Sequence, residues 1–192
     1  FTIFLNKNMG VAFCRNLGIR ISKSKYVSFI DHDDIWSKTK LEEQIDFMEK
    51  HNHQFTYTNY TVFVEKNGNK KLKKQNYLPS FLDFEKFIKN TSLATSSMII
   101  SRSLIGSDKF TKIPIEDYFF KCKLLKKNKM AVGFNKNLLL YRLSKKSLGS
   151  NRLKTFYSIW YINRNLNKLS FTKNIISISF LVYNSLKNYG IR

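Results

Sequence analysis

The stretch YVSFIDHDDIW, residues 26–36, decides the fold. Its first half is rich in aromatic and β-branched residues, which predicts a buried strand that runs directly into an acidic loop. A helical pattern follows, with Leu41, Ile45 and Met48 on one face. Ser37 is predicted to cap that helix. The acids are therefore expected at the carboxyl end of a strand, where open α/β sheets bind their ligands.

Asp31 and Asp33 are two positions apart, so on extended backbone their side chains point to the same side. Carboxylates aimed at one point repel each other unless a cation lies between them, and Mg²⁺ and Mn²⁺ favour such hard oxygen ligands. The alternative is that the acids only cap the helix and solvate a loop. The chain holds 13 Asp and Glu against 34 Lys and Arg, and three of those 13 lie within residues 31–34, which favours a functional site.

The composition fits one folded domain with at most a small appendage, since 43% of the 192 residues are hydrophobic and 15% are aromatic. The formal charge of +21 favours anionic partners: nucleic acid, an anionic membrane surface or phosphorylated substrates. The alternative is that the lysines only make the surface soluble. Cys14 and Cys122 have no partner at metal-ligand spacing and suit a reducing cytoplasm. The most apolar late run, residues 175–183, is too short to span a bilayer.

The chain before the acidic loop predicts a strand, a helix and a strand in that order. Residues 2–5 predict the first strand, and residues 26–30 predict the second. The helix between them is entered through Gly10 and ends near Gly18. This order is that of a βαβ unit, which implies parallel strands.

Three segments resemble the family 2 glycosyltransferases, which are inverting enzymes with a GT-A fold. They are NMGVAFCRNLGI at residues 8–19, KYVSFIDHDDIW at 25–36 and KLEEQIDFM at 40–48, with the family's spacing kept. The resemblance implies an α/β fold, a Rossmann-like nucleotide-diphospho-sugar transferase with a mixed sheet flanked by helices. It also implies transfer of a sugar, with inversion, from a nucleotide-sugar donor to a glycan or lipid-linked acceptor in cell-surface polysaccharide synthesis, such as lipopolysaccharide or capsule.

A second acidic site follows from the same resemblance. Glu116 and Asp117 precede a predicted helix and resemble the family's catalytic-base motif. The resemblance implies that Asp117 is the general base and Glu116 its neighbour. The alternative is that Asp117 only favours the helix dipole. Ile115 stands where the family usually has glycine.

The resemblance also implies a nucleotide-sugar site formed by Asn8, Gly10, Arg15, Asn16, Asp31, Asp33 and Trp36. Asp33, with Asp31 nearby, is implied to hold Mn²⁺ or Mg²⁺, and Asp31 to face the ribose. Arg15 and Asn16 either line the nucleotide or brace the acidic loop. Trp36 either stacks on the sugar or acceptor or belongs to the core.

The rest of the first 150 residues predicts further elements. They are a strand at 55–64, a turn at 67–69, a basic loop at 70–74, a helix at 81–88, a strand at 93–101 and strands at 130–134 and 138–143. The segment TSSMIISRS at 95–103 resembles a strand of the family. The stretch YRLSKKSLGS at 141–150 resembles the family's Y-R-x-x-x-x-S-x-S stretch, and Arg142, Lys145 and Lys146 are candidates to contact phosphate.

From residue 153 the pattern changes to two amphipathic helical segments, 153–166 and 175–186. We therefore expect a partial GT-A domain over residues 1–150 and a C-terminal amphipathic helical extension over 151–192. The helices are expected to pack against the domain. The alternative is that they hold the protein at an anionic membrane. The expected localisation is cytoplasmic, with or without peripheral contact at the inner face of the cytoplasmic membrane.

Two segments of the family pattern do not occur in this sequence: the opening strand V-x-[IV]-I-[IV]-P-x-[YF]-N and a D-D-G-S segment that binds base and ribose. We expect the first βα units to be missing, the natural N-terminus to lie upstream and the chain as given to be an inactive fragment. Two other classes stay open. One is a basic nucleic-acid-binding protein, although no nucleic-acid motif is present and nucleic acid is not an expected partner. The other is a metal-dependent hydrolase built on Asp31, His32, Asp33 and Asp34.

Overall fold

A mixed β-sheet organises the chain. The computed structural model describes residues 2–66, 68–143 and 152–189. The strands are β1 (Tyr26–Ser28), β2 (Ile35–Trp36), β3 (Phe55–Lys66), β4 (Asn69–Asn76), β5 (Phe81–Asp83), β6 (Met98–Ser101) and β7 (Met130–Arg142). The helices are α1 (Val11–Ile21), α2 (Lys40–Lys50), α3 (Phe84–Lys89), α4 (Arg102–Ile105), α5 (Glu116–Asn128), α6 (Arg152–Tyr161) and α7 (Phe171–Tyr189). A 3₁₀ turn lies at Thr95–Ser97 and a π-helix at Ile162–Leu166.

Strand β3 lies at the centre of the sheet. Strands β1, β6, β3, β7 and β2 lie side by side in that order, while β4 pairs with β3 and β5 with β7. Within the described part of the chain the β3–β7 pair is parallel and the other pairs are antiparallel. The first nine residues of β3 are buried, as expected for a strand covered on both faces. The predicted mixed α/β sheet is confirmed, and so is the strand predicted at 55–64.

The strand predicted at residues 2–5 is wrong. These residues pair with no described strand, and the Phe4 side chain is 88% exposed. Without a neighbour to accept its backbone hydrogen bonds, an apolar run does not become a strand. Helix α1 does begin after Gly10, whose φ of 81° suits glycine, but it continues past Gly18 to Ile21. β1 pairs antiparallel with β6, so the described residues contain no parallel βαβ unit here.

Other boundaries differ because strand pairing decides them. The basic run at 70–74 lies in β4 rather than in a loop, since the turn at Gly68 folds the chain back onto β3. The strands predicted at 130–134 and 138–143 are the single strand β7, which pairs with β3 from Val132 to Arg142.

Local hydrogen bonds move the boundaries of two more elements from their predicted positions. The helix predicted at 81–88 begins at Phe84, because the Asp83 carboxylate accepts a hydrogen bond from the Lys86 amide (2.7 Å) and caps α3. The strand predicted at 93–101 is confined to β6, because the three residues before it form the 3₁₀ turn.

Helix α2 presents a different face to the core from the one predicted. It begins at Lys40, so Ser37 is not its N-cap, and the Ser37 carbonyl instead accepts a hydrogen bond from the Lys40 amide (3.1 Å). Met48 is buried as expected, but Leu41 is exposed. Lys40 and Gln44 are buried in its place, so two polar side chains lie between α2 and the sheet.

The buried ammonium group of Lys40 is held by weak partners. It donates to Gln44 Oε1 (2.9 Å) and lies 4.5 Å from the centroid of the Trp36 ring. The Gln44 amide in turn donates to Thr56 Oγ1 (3.0 Å) and to the Ser97 carbonyl (3.2 Å). Burial lowers the pKa of Lys40 to about 7. Among the described residues no ion pair joins this ammonium group to a carboxylate, so its charge is poorly compensated.

Replacing Lys40 by Met is expected to stabilise the fold at pH 7 by about 1–3 kcal/mol, because it removes a poorly compensated buried charge. The pKa of Lys40 falls from its ordinary value of 10.5 to about 7 on folding, so between these pH values the folded state binds fewer protons. Wild-type stability therefore rises with pH across that window, and the advantage of the variant shrinks. Denaturant unfolding at about pH 7 and about pH 9.5 measures both effects.

Lys38→Met is the matched control for this substitution, because Lys38 is exposed just before the same helix. It is expected to change the free energy of unfolding by less than about 0.5 kcal/mol. An equal gain in the free energy of unfolding in both variants would contradict the conclusion that the Lys40 charge is poorly compensated. A gain in Lys40→Met that does not depend on pH would contradict it as well.

The C-terminal helices share the core of the sheet. Their buried residues in the main hydrophobic cluster are Ile159, Ile162, Leu169 and Leu181. The hydroxyl of Tyr118 in α5 donates to the buried Asn163 side chain in the π-helix (2.8 Å). The predicted packing of these helices against the domain is confirmed, while the domain boundary after residue 150 stays a prediction. In the described ranges, no helix combines the length and apolar character needed to cross a membrane.

Candidate functional site

The acidic loop at residues 31–34 joins β1 to β2 and is held by Ser96. The Asp34 amide donates to the Asp31 carbonyl (3.0 Å), which closes the loop as a turn. The Asp31 amide donates to the Ser96 hydroxyl (3.0 Å), and the Trp36 indole donates to the Ser96 carbonyl (2.7 Å). Both ends of the loop are thus fixed to one residue of the 3₁₀ turn before β6, which limits where its carboxylates can lie.

Arg142, at the end of β7, fixes the other side of the loop. Its backbone amide donates to Asp34 Oδ1 (2.9 Å), and its Nε donates to the Asp33 carbonyl (3.0 Å). Its Nη1 forms an ion pair with Glu65 (2.8 Å). Arg142 therefore positions the acidic loop, and its contact with phosphate stays a prediction. The rest of the motif, at residues 144–150, lies outside the described residues.

Arg15 joins the acidic loop to the second acidic site. Its Nη2 lies 2.6 Å from Asp31 Oδ1, and its Nη1 lies 2.7 Å from Glu116 Oε1. The Arg15 and Glu116 side chains are only 11% and 13% exposed, so water screens this pair weakly. Burial, with Asp117 beside it, raises the pKa of Glu116. The segments predicted to hold the donor and to supply the base therefore lie side by side.

Asp117 begins α5 and is held by two donors. Its Oδ2 accepts a hydrogen bond from the Thr95 hydroxyl (2.9 Å) and forms an ion pair with Lys121 (2.8 Å), one turn along the helix. The Lys121 ammonium group also donates to the Leu93 carbonyl (2.8 Å). Burial alone would raise the pKa of Asp117, but Lys121 and Thr95 outweigh it and lower the pKa to about 2. Asp117 is therefore ionised at neutral pH.

The backbone before this acidic pair is strained. Ile115 has φ 50° and ψ 48°, in the left-handed region that favours glycine. A residue with a Cβ costs roughly 1–2 kcal/mol there, and the Ile115 side chain offsets part of this by packing against the core. The conformation explains why the resembling family usually has glycine at this position. Glu116 and Asp117 follow it directly, and they contact Arg15 and Lys121 respectively.

Tyr141 faces the acidic groups from β7, where its ring packs against Tyr60 with centroids 5.5 Å apart. Its pKa is raised to about 12, first by burial and then by the nearby carboxylates of Asp34, Asp31, Asp117 and Asp33. The hydroxyl therefore stays protonated at neutral pH. It supplies an uncharged donor among carboxylates that come from both acidic sites.

The acidic loop fits a divalent cation held together with a phosphate ligand. The Asp33 carboxylate has no hydrogen-bond or ion-pair partner among the described residues, and Asp31 commits only Oδ1 to Arg15. Mg²⁺ and Mn²⁺ take one or two carboxylates and complete their shell with water and substrate phosphates. The described ranges contain no group of three or more His, Cys, Asp or Glu side chains arranged for a metal. His32, the histidine of the hydrolase alternative, is exposed.

The other residues predicted to bind the nucleotide make bracing contacts. Asn16 exchanges two hydrogen bonds with the Phe110 backbone, each 2.8 Å long. Asn8 Oδ1 accepts a hydrogen bond from the Gly10 amide (2.9 Å) in the turn before α1. Their contacts with a nucleotide, and those of Trp36, stay predictions. The structure brings together Arg15, Asp31, Asp33, Glu116 and Asp117.

Sequence analysis missed residues that position the site: Thr95, Ser96 and Lys121. Lys121 had a readable signal, because it follows Asp117 by four residues on a helix. The two hydroxyl residues stood in a motif that we interpreted only as a strand. Nothing local places Ser96 against Asp31, which is 65 residues away.

A model of the family described as Glycosyl transferase family 2 matches residues 1–107. TuaG of Bacillus subtilis, a glycosyltransferase named for teichuronic acid biosynthesis, is 32% identical over 172 residues, or 89% of this chain and 68% of TuaG. WfgD of Escherichia coli, named as a UDP-Glc:alpha-D-GlcNAc-diphosphoundecaprenol beta-1,3-glucosyltransferase, is 29% identical over 175 residues, or 88% of this chain and 68% of WfgD.

The fold resembles that of TarS from S. aureus. The crystal structure of its residues 1-349 in complex with UDP-GlcNAc gives a TM-score of 0.62 at 15% identity, over 95% of this chain and 55% of that chain. At this identity the likeness concerns the fold, and it confirms the predicted GT-A type. The chain spans about two thirds of the curated relatives' length and about half of the TarS chain.

Proposed function

Because the chain belongs to glycosyl transferase family 2, we propose that it transfers a sugar from a nucleotide-sugar donor to a glycan or lipid-linked acceptor, with inversion. The names of TuaG and WfgD, which refer to teichuronic acid and to a diphosphoundecaprenol-linked sugar, support a role in cell-surface polysaccharide synthesis. A lipid-linked acceptor of the kind in the name of WfgD supports action at the inner face of the cytoplasmic membrane.

The observation that carries the proposal is the double ion pair of Arg15. One guanidinium group contacts Asp31 of the acidic loop and Glu116 of the second acidic site, at 2.6 Å and 2.7 Å. A transferase needs a place for the leaving diphosphate and a base for the acceptor within the length of one sugar. The Arg15 contacts support this arrangement, because they hold the two acidic sites next to each other.

The proposed chemistry is a single displacement. The acceptor oxygen forms a bond to the anomeric carbon, the bond from that carbon to the diphosphate oxygen breaks, and the acceptor proton moves to the Asp117 carboxylate. A Mn²⁺ or Mg²⁺ ion held by Asp33 and Asp31 would neutralise charge on the leaving diphosphate. Lys121 and Thr95 keep Asp117 ionised and fixed before the proton arrives.

A uridine diphosphate sugar is the proposed donor class. TarS was crystallised with UDP-GlcNAc, and the name of WfgD specifies UDP-Glc. The test is calorimetric titration of the full-length protein with UDP-, GDP- and dTDP-sugars, with Mn²⁺ and with a chelator. Binding of a UDP-sugar that requires Mn²⁺ is the expected result. A folded protein that binds no nucleotide-sugar, but binds single-stranded RNA in a salt-sensitive manner, would overturn the proposal.

A further inference from the structure

The outward face of α7 is apolar. Six large side chains on it are each between 42% and 60% exposed: Phe171, Ile175, Ile176, Phe180, Tyr183 and Leu186. Their spacing places them on one side of the helix. Helix α6 adds Leu153, Tyr157 and Tyr161, which are between 50% and 81% exposed. The two helices meet where the rings of Trp160 and Phe171 pack edge to face, 5.7 Å apart.

The inward face of α7 is mixed: Leu181 belongs to the main hydrophobic cluster, but polar side chains are buried beside it. Asn174 and Ser177 are fully buried, and they donate to the carbonyls of Trp160 (3.2 Å) and Ile88 (2.6 Å). Asn184 donates to a backbone carbonyl of α3 (3.1 Å). A helix at a protein–water boundary normally keeps its large apolar side chains inward. Helix α7 instead exposes six of them, which indicates that its outward face meets something other than water.

The charges around this face select the partner. Residues 151–192 contain no Asp or Glu and seven basic residues, of which Arg152, Lys154, Arg164, Lys168 and Lys173 have described side chains. Lys173 pairs with Glu85 of α3 (3.0 Å). Apolar side chains on helices that carry cations and no acid complement an anionic lipid surface. The tyrosines suit the same place, because an aromatic ring with a polar tip lies well at the level of the headgroups. A second copy of the chain would instead bring cations against cations.

We infer that α6 and α7 form a docking face for an anionic lipid bilayer, with the outward side chains inserted shallowly and the helices still packed on the domain. The helices are tied to α5 by hydrogen bonds from Tyr118 to Asn163 (2.8 Å) and from Lys126 to the Asn167 carbonyl (3.0 Å). Because α5 begins with the second acidic site, docking would fix that site relative to the membrane. The inference rests on the proposed function at one point: the proposed lipid-linked acceptor would lie in the same bilayer.

Flotation of the full-length protein with vesicles tests this inference. Vesicles of phosphatidylcholine are compared with vesicles that also hold about 30% phosphatidylglycerol. The wild type is expected to float with the anionic vesicles. Ile176→Glu combined with Phe180→Glu is expected to weaken that binding by about tenfold or more, because two charges enter the docking face. Leu72→Glu combined with Tyr77→Glu adds the same charge at two exposed apolar side chains elsewhere and is expected to bind like wild type.

Circular dichroism and donor titration accompany the flotation. A folded face variant that binds donor but not vesicles supports the inference. The inference is overturned by a wild type that floats with neither vesicle, or by a face variant that floats like the control. It is also overturned by a wild-type dimer that the face substitutions dissociate, since that face would then bind a second copy. A wild type that floats but binds no nucleotide-sugar would instead contradict the proposed function.

Discussion

Replacing Asp117 by Asn is expected to lower kcat for sugar transfer by about 10²–10⁴-fold, the range typical for loss of a general base. Asparagine has the same shape and still accepts a hydrogen bond from Thr95, so donor binding should change little. It cannot take the acceptor proton, which is the proposed role of Asp117. Lys121, only 4% exposed, also loses its anionic partner, so a lower stability is expected as well. Product formation and donor titration on the same preparation separate the two effects.

Asp108→Asn is the matched control, because Asp108 also pairs with lysines of α5, Lys123 and Lys127. It should lose stability in a similar way and keep kcat. A normal kcat for Asp117→Asn, or an equal loss in the control, would refute the assignment of the base. A loss found only in Glu116→Gln would move that role to Glu116, whose pKa is raised rather than lowered.

Replacing Asp33 by Asn is expected to weaken metal-dependent donor binding by roughly 10–100-fold or more. Loss of a residue that only hydrogen-bonds to a metal ligand already weakens metal binding by that factor, and Asp33 is proposed as a ligand itself. The Asp33 carboxylate has no partner among the described residues, so the substitution breaks no contact within the protein. It also removes a negative charge close to Asp34, whose pKa is raised by burial and by Asp31 and Asp33. The melting temperature should therefore stay the same or rise while donor affinity falls.

The control for this substitution is Asp46→Asn, an exposed acid on α2. It should leave donor affinity unchanged with and without Mn²⁺. In the presence of a chelator, wild type and Asp33→Asn should bind the donor equally weakly. If Asp33→Asn kept the full response to Mn²⁺, the metal would have to be held elsewhere.

Elements encoded by a local pattern were predicted well. The strand that runs into the acidic loop, the helix after Gly10 and the helix that begins at Glu116 each carry their signal within about a dozen residues. Elements decided by a distant partner were not. Residues 70–74 became a strand only because β3 was available beside them, and residues 2–5 found no such neighbour.

The candidate site also combines residues that a local motif indicates with contacts that only the fold creates. Motif spacing and the family resemblance indicated Asp31, Asp33 and Asp117 as candidates. Neither could show that Arg15 contacts both Asp31 and Glu116, the second of which lies 101 residues further along the chain. Helical periodicity identified the C-terminal helices as two-sided. Periodicity reports only that the sides differ, so it could not show that Asn174 and Ser177 are buried beside Leu181 while six large apolar side chains of α7 stay exposed.

The contact between Arg142 and the acidic loop sets an order of events during synthesis. Asp34 leaves the ribosome 108 residues before the amide that binds it, and the parallel pairing of β3 also waits for β7. Until then the nascent chain carries a long buried strand with one side unpaired, a state prone to associate with other chains. The acidic loop proposed to hold the metal thus acquires its final geometry only after β7 has been synthesised.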